Sequence, residues 1–213
     1  MTNEASENNA VESVDQTAQG LSPKAKAMLL VVPFLVALDQ ITKIWVVRNI
    51  EYRRGEIDVI PGFFSIVHAQ NPGAAFGMLT DFEYRLHVFV VFTVIALGVI
   101  WSMYKQTPRD DWFQSAVLGL LTAGALGNFI DRVHKQTVTD FLHVYWDKEP
   151  GRSWLIDTFG TYHYPSFNVA DSSIVVGITI FLIWFVFLDD SEDADSEAVA
   201  DELANDDRAP ADG

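Results

Sequence analysis

Four aspartates stand at or near the ends of long apolar runs: Asp39, Asp131, Asp140 and Asp171. A carboxylate beside a bilayer is costly unless it is paired or put to use. Asp39 has Lys43 one helical turn on, spaced for an ion pair. Asp131 is followed by Arg132 and shares a polar cluster with Asn128. Asp140 and Asp171 have no lysine or arginine within four residues. If the fold brings these two together, they can share one proton, so that one is neutral and one charged near neutral pH. Aspartic proteases activate water with such a pair.

The elements that must position these groups are apolar helices. A bilayer-spanning helix takes roughly 20 mostly apolar residues. Four segments fit: Met28–Val47, His87–Tyr104, Trp112–Ile130 and Ser172–Leu188. The second and fourth are apolar all round, unlike helices of a water-soluble bundle. The expected fold is therefore an all-α integral membrane protein with four transmembrane helices. In the third span Ser115, Gly119, Ala123 and Gly127 recur every four residues, a small-residue ladder that admits a close neighbour. Chance in a Gly/Ala-rich helix reads equally well.

Three domains are expected: a disordered polar extension over 1–27, a membrane domain over 28–188, and a disordered acidic tail over 189–213. The formal net charge is −15, and most of it lies in the tail. There is no cysteine, which excludes disulfides, thiol nucleophiles and cysteine-held metals. The five histidines show no metal-ligand spacing, and neither HExxH nor GxSxG occurs. No cofactor, metal or nucleic-acid partner is expected. His143 lies close enough to Asp140 in sequence to tune its titration.

Four spans put both termini on one side, with long loops (48–86 and 131–171) on the other. Ile57–Ile60 and Phe63–Ala69, around the Pro61-Gly62 turn pair, read as strands. Phe141–Trp146 and Trp154–Phe159, flanking 147–152, read as a second hairpin. Basic residues are more numerous in the long loops, so charge counting alone puts the termini outside.

Five polar blocks fall on the long-loop side: Asp39-Gln-Ile-Thr-Lys43, Asn71-Pro-Gly-Ala-Ala-Phe-Gly77, Gly124-Ala-Leu-Gly-Asn128-Phe-Ile-Asp131-Arg132, Val138-Thr-Asp140-Phe141 and Phe167-Asn168-Val-Ala-Asp171-Ser172. In this order they resemble the lipoprotein signal peptidases (signal peptidase II), from about Asp39 to Ser172. The resemblance implies a bacterial four-helix intramembrane aspartic endopeptidase. It implies cleavage of prolipoprotein signal peptides before a diacylglyceryl-modified cysteine. It further implies an inner-membrane location, cytoplasmic termini, a site near the outer face and a small β-rich extracytoplasmic cradle.

By the same resemblance Asp140 and Asp171 match the catalytic dyad. Asn71 either bonds the substrate backbone or oxyanion, or caps a turn. Gly73 and Gly77 permit close backbone approach. Asn128, Asp131 and Arg132 share a helix face if the helix continues. Arg132 then holds a substrate carbonyl or headgroup, or pairs with Asp131. Asn168 orients Asp171 or caps the helix there. Asp39 and Lys43 hold the first span in register. The expected partners are lipid-modified prolipoproteins and membrane lipids, and a monomer is expected because one chain supplies the dyad. Two departures from the family pattern stand out: Ala123-Gly124 replaces a glycine pair, and the Asp140–Asp171 interval is longer than usual.

Overall fold

The computed structural model describes residues 20–73 and 84–187. Helix α1 runs from Pro23 to Asn49, so it starts before the apolar run begins. Ser22 caps it by accepting from the Ala25 amide, and Pro23 occupies a first-turn position where its missing N–H costs nothing. After strands β1 (Glu56–Ile60) and β2 (Phe64–Asn71) come helices α2 (Arg85–Gln106) and α3 (Trp112–Lys135). Asp111 caps α3 at the Gln114 amide (2.8 Å), and α3 ends at Gln136 in the left-handed conformation (φ 60°). Strand β3 (Val138–Val144), a short helix α4 (Gly151–Phe159) and helix α5 (Val169–Phe187) complete the order.

Among the described residues α1, α2 and α3 are long and apolar enough to cross a membrane, and α5 carries a shorter apolar stretch, Val169–Trp184. None of the most apolar stretch of α2 is buried. Large side chains such as Phe34, Phe92 and Val175 likewise point outward, which suits lipid and not water. Helix α3 is the hub: α1, α2 and α5 all pack on it.

The small-residue ladder is where α3 meets its neighbours. Ser115, Gly119, Ala123 and Gly127 are all buried. A Cβ on Gly119 would lie 3.0 Å from Val31 of α1, and one on Gly124 would lie 2.5 Å from the Ala170 carbonyl of α5. A side chain at Gly124 would force these two helices apart.

The three strands form one antiparallel sheet in the order β1-β2-β3. The first hairpin is as expected, turning through Gly62 at φ 77°. The expected second hairpin is not formed: Trp154–Phe159 lies in α4, not in a strand. Local capping explains the difference. The Glu149 carboxylate accepts from the Ser153 amide (3.3 Å) and hydroxyl (2.7 Å), and Gly160 closes the helix at φ 75°. The sheet stands on the end of the bundle where α1 and α3 finish and α5 begins. At the other end the Lys24 amide donates to the Arg109 carbonyl (3.3 Å), tying the start of α1 to the α2–α3 turn.

Candidate active site

The site is assembled at the sheet end from α1, α3, β2, β3 and α5. Its first part is a buried ion cluster. Lys43 is 0% exposed, and Asp39 and Asp131 are each 1% exposed. The Lys43 ammonium donates to Asp39 Oδ2 (2.9 Å), Asp131 Oδ2 (3.3 Å) and Asn128 Oδ1 (3.2 Å), using all three hydrogens. Lys135 approaches Asp131 Oδ1 at 3.2 Å and also donates to Thr139 Oγ1 (3.3 Å). Asp131 Oδ2 accepts from the Thr139 amide (3.0 Å), fixing the start of β3 against α3. Asp39 Oδ1 accepts from the Ala170 amide (3.0 Å), fixing the start of α5 against α1. Two acids and two cations balance, and each acid also fastens a different element.

The second part is the pair Asp140 and Asp171. Asn168 and Asp171 close a reciprocal capping box at the start of α5. The Asp171 amide donates to Asn168 Oδ1 (3.0 Å), and the Asn168 amide donates to Asp171 Oδ2 (3.2 Å). That leaves the Asn168 Nδ2 group free to donate to Asp140 Oδ1 (2.7 Å) and to Asn128 Oδ1 (3.2 Å). Asn128 Nδ2 in turn donates to Asp171 Oδ1 (2.7 Å). Two asparagines therefore lock the carboxylates to each other and to the ion cluster.

Among the described residues no lysine or arginine forms an ion pair with either member, as the sequence spacing predicts. Asp140 is almost wholly buried, and Asp171 is partly open. Burial, and then the neighbouring Asp171 charge, push the Asp140 carboxyl up to about 6, against the hydrogen bonds from Asn168 and Asn71 and the Lys43 charge.

Asn71 both caps its turn and reaches the site. Its Oδ1 accepts from the Gly73 amide (3.1 Å), while its side chain hydrogen-bonds Asp140. The register explains the contact: Ala69 pairs with Asp140, and Asn71 is on the same sheet face. Gly73 is buried beside it, and Gly77 lies outside the described residues.

Two interactions that the sequence left open are not formed. Arg132 makes no ion pair with Asp131. Its guanidinium lies 4.5 Å from the Phe89 ring centre of α2 and donates to the Asn128 carbonyl (3.4 Å). The partners of Asp131 are Lys43 and Lys135, which leaves Arg132 to face α2. Nor is His143 among the groups that set Asp140. Three residues apart on a strand, the two side chains point to opposite faces. His143 instead contacts Ser65 Oγ (3.1 Å) and His163 Nδ1 (3.1 Å). Lys135, Thr139 and the Ala170 amide were not anticipated from the sequence, although the i, i+4 spacing of Asp131 and Lys135 was available to find the first.

The signal peptidase (SPase) II family model matches residues 31–187. The lipoprotein signal peptidase of Geobacter sulfurreducens is 41% identical over 163 residues, covering 76% of this chain and 93% of that protein. That of Listeria monocytogenes serovar 1/2a is 38% identical over 156 residues, covering 73% and 90%. A solved bacterial membrane enzyme superposes with a TM-score of 0.61 at 31% identity, covering 78% of this chain and 90% of the other.

Proposed function

The chain belongs to the signal peptidase II family, and from that premise we propose that it removes signal peptides from prolipoproteins with Asp140 and Asp171 as an aspartic dyad. The observation that carries the dyad is the asparagine bridge, which holds two unpaired carboxylates together beside a fully neutralised ion cluster.

In the reactive form Asp140, whose carboxyl burial pushes up to about 6, holds the dyad's proton, so the reactive fraction falls as pH rises through about 6. Asp171 sits in the first turn of α5, partly open, and accepts from Asn128 and the Asn168 amide, which orient it towards Asp140. Asp171 takes a proton from water, and the water oxygen bonds to the scissile carbonyl carbon. Asp140 gives its proton to the carbonyl oxygen. On collapse the C–N bond breaks, the proton held by Asp171 passes to the leaving nitrogen, and Asp140 takes back a proton from the gem-diol as it becomes the carboxylic acid, which restores the dyad. The leaving amine belongs to the lipid-modified cysteine. Asn71, beside Asp140, is suited to bond the substrate backbone or the tetrahedral oxygen. Arg132, packed on Phe89 of α2, is an electrostatic neighbour of Asp171 and Asp140 without pairing with either, and it offers a guanidinium to a carbonyl or headgroup.

The full reading has four membrane crossings, cytoplasmic termini and a dyad near the periplasmic face of the inner membrane, in a monomer. Residues 28–188 form the peptidase domain, flanked by a polar extension (1–27) and an acidic tail (189–213). The 19 residues of α5 extend about 28 Å, close to a hydrocarbon thickness of about 30 Å, which supports the fourth crossing.

The test is cleavage of a diacylglyceryl-modified prolipoprotein by the purified protein in detergent, wild type against Asp140→Asn and Asp171→Asn. We expect cleavage before the lipidated cysteine by wild type, and a loss of about 10²- to 10⁴-fold in each folded variant. Undiminished cutting by both variants overturns the dyad.

A further inference from the structure

The far end of the bundle holds a groove that the proposed chemistry does not use. Helices α1 and α2 both pack on α3 but make no backbone contact with each other among the described residues. The wedge between them is a cavity of about 610 Å³. Its walls include Val32 and Val36 of α1, Leu97 and Trp101 of α2, and Leu126 of α3. The lining is apolar except for Thr122 and Tyr104. The Thr122 hydroxyl is turned into its own helix, donating to the Leu118 carbonyl (2.8 Å). Such a space offers water no partners and suits hydrocarbon.

Along α1 the groove runs from Met28 to Val36, about 12 Å of helix axis, close to one leaflet of hydrocarbon. Trp101 and Tyr104 line it at the end away from the dyad, and cations stand beside both rings. The Lys24 ammonium donates to the Thr107 (2.8 Å) and Tyr104 (3.1 Å) carbonyls, which fixes it at the end of α2 with one hydrogen left over; it lies 4.7 Å from the Tyr104 ring centre, and the Lys105 ammonium lies 5.6 Å from that of Trp101. Lys26 and Arg109 stand nearby in sequence. Of the turn's two acids, Asp111 is engaged in capping α3.

We propose that this groove holds an acyl chain of an anionic phospholipid from the leaflet opposite the dyad, with the headgroup phosphate between Lys24 and Lys105. Charge decides the occupant. A signal peptide is also apolar, but its basic N-terminal region would meet the same lysines and be repelled. A zwitterionic lipid fits the groove yet gains little from the two lysines. The inference is independent of the dyad's chemistry.

The test is native mass spectrometry of the full chain in mild detergent, with phosphatidylglycerol or phosphatidylcholine of identical chains. One lysine near an anionic surface contributes about fivefold, so the two together give phosphatidylglycerol a preference of about 25-fold. Lys105→Gln is expected to cut that preference about fivefold. Leu97→Trp, which fills the groove from the lipid-facing helix, is expected to lower retention of both lipids. Should Leu97→Trp not fold, Lys105→Gln still decides. Equal retention of the two lipids by wild type, or an unchanged preference in Lys105→Gln, overturns the proposal. Displacement of the retained lipid by a synthetic unlipidated signal peptide also overturns it and assigns the groove to substrate.

Discussion

The ion cluster of Asp39, Lys43, Asp131 and Lys135 and the pair Asp140–Asp171 lie side by side, joined by Asn128 and Asn168, yet their acids are balanced in opposite ways. In the cluster every carboxylate has a cation within 3.3 Å. In the pair, among the described residues, the carboxylates receive amide hydrogen bonds only, from Asn128, Asn168 and Asn71. Amides orient a carboxylate without neutralising it. Ammonium groups neutralise it and remove its reason to hold a proton. The first arrangement fastens α1, α3, β3 and α5 together, and the second leaves charge available for proton transfer. Neighbouring aspartates thus serve structure or chemistry according to the charge that faces them.

Breaking the balanced side is expected to have the largest effect on stability. Lys43→Met leaves Asp39 and Asp131 facing each other at almost zero exposure, with Lys135 touching only one of them. A loss of about 3–5 kcal/mol is expected, read as a collapse of the unfolding midpoint in detergent. A variant as stable as wild type would refute the structural role of the cluster.

The unbalanced side should respond in the opposite direction. Asp140 titrates near 6 in the fold against 3.8 for an unperturbed carboxyl, so its contribution to stability is present below pH 4 and is lost as pH rises through about 6. Asp140→Asn removes that burden and keeps an acceptor for Asn168. It is expected to raise stability at pH 7 by on the order of 2 to 3 kcal/mol while cleavage is lost, and the gain should vanish below about pH 4. Equal melting temperatures for variant and wild type at pH 7 would show that Asp140 carries no strained charge.

Asn168→Ala tests the joint between the two sides. It removes the donors to Asp140 and Asn128 and the cap of α5. Cleavage should fall about 10- to 100-fold, with a stability loss of about 1 kcal/mol from the cap. An equal fall in both readouts would make Asn168 a structural residue alone. The smallest effect is expected at Lys135, which is 34% exposed in its pair with Asp131. Lys135→Gln should cost less than about 1 kcal/mol and leave the dyad's pH profile in place. A larger loss would mean that one buried lysine cannot hold Asp131.

Much of this site was legible before any coordinates. Asp39 and Lys43 are one helical turn apart, so their pairing followed from a single element's geometry. That Asp140 and Asp171 have no ion-pair partner in the helical turn around them was visible in the same way. Helix α4 was misread because Trp154–Phe159 is too short for periodicity to separate strand from helix. What decides it is the Glu149–Ser153 contact and Gly160. The sequence left Arg132 between a substrate role and a pairing with Asp131; the pairing does not form because adjacent residues do not share a helix face.

The chain's order alone determined the apolar spans, the i, i+4 ion pair, the capping sequence at Asn168–Asp171 and the identity of the unpaired acids. All of these depend on neighbours within one turn of one helix, where backbone geometry converts spacing into contact. Only the tertiary structure decided that Lys43 reaches Asp131 and Asn128 on α3, that the Ala170 amide meets Asp39, and that Asn168 bridges β3 to α5. Those contacts depend on how closely α1 and α5 approach α3. Gly119, Gly124 and Gly127 set that approach through the side chains they lack, and the resulting distances are a property of packed helices and not of any one segment.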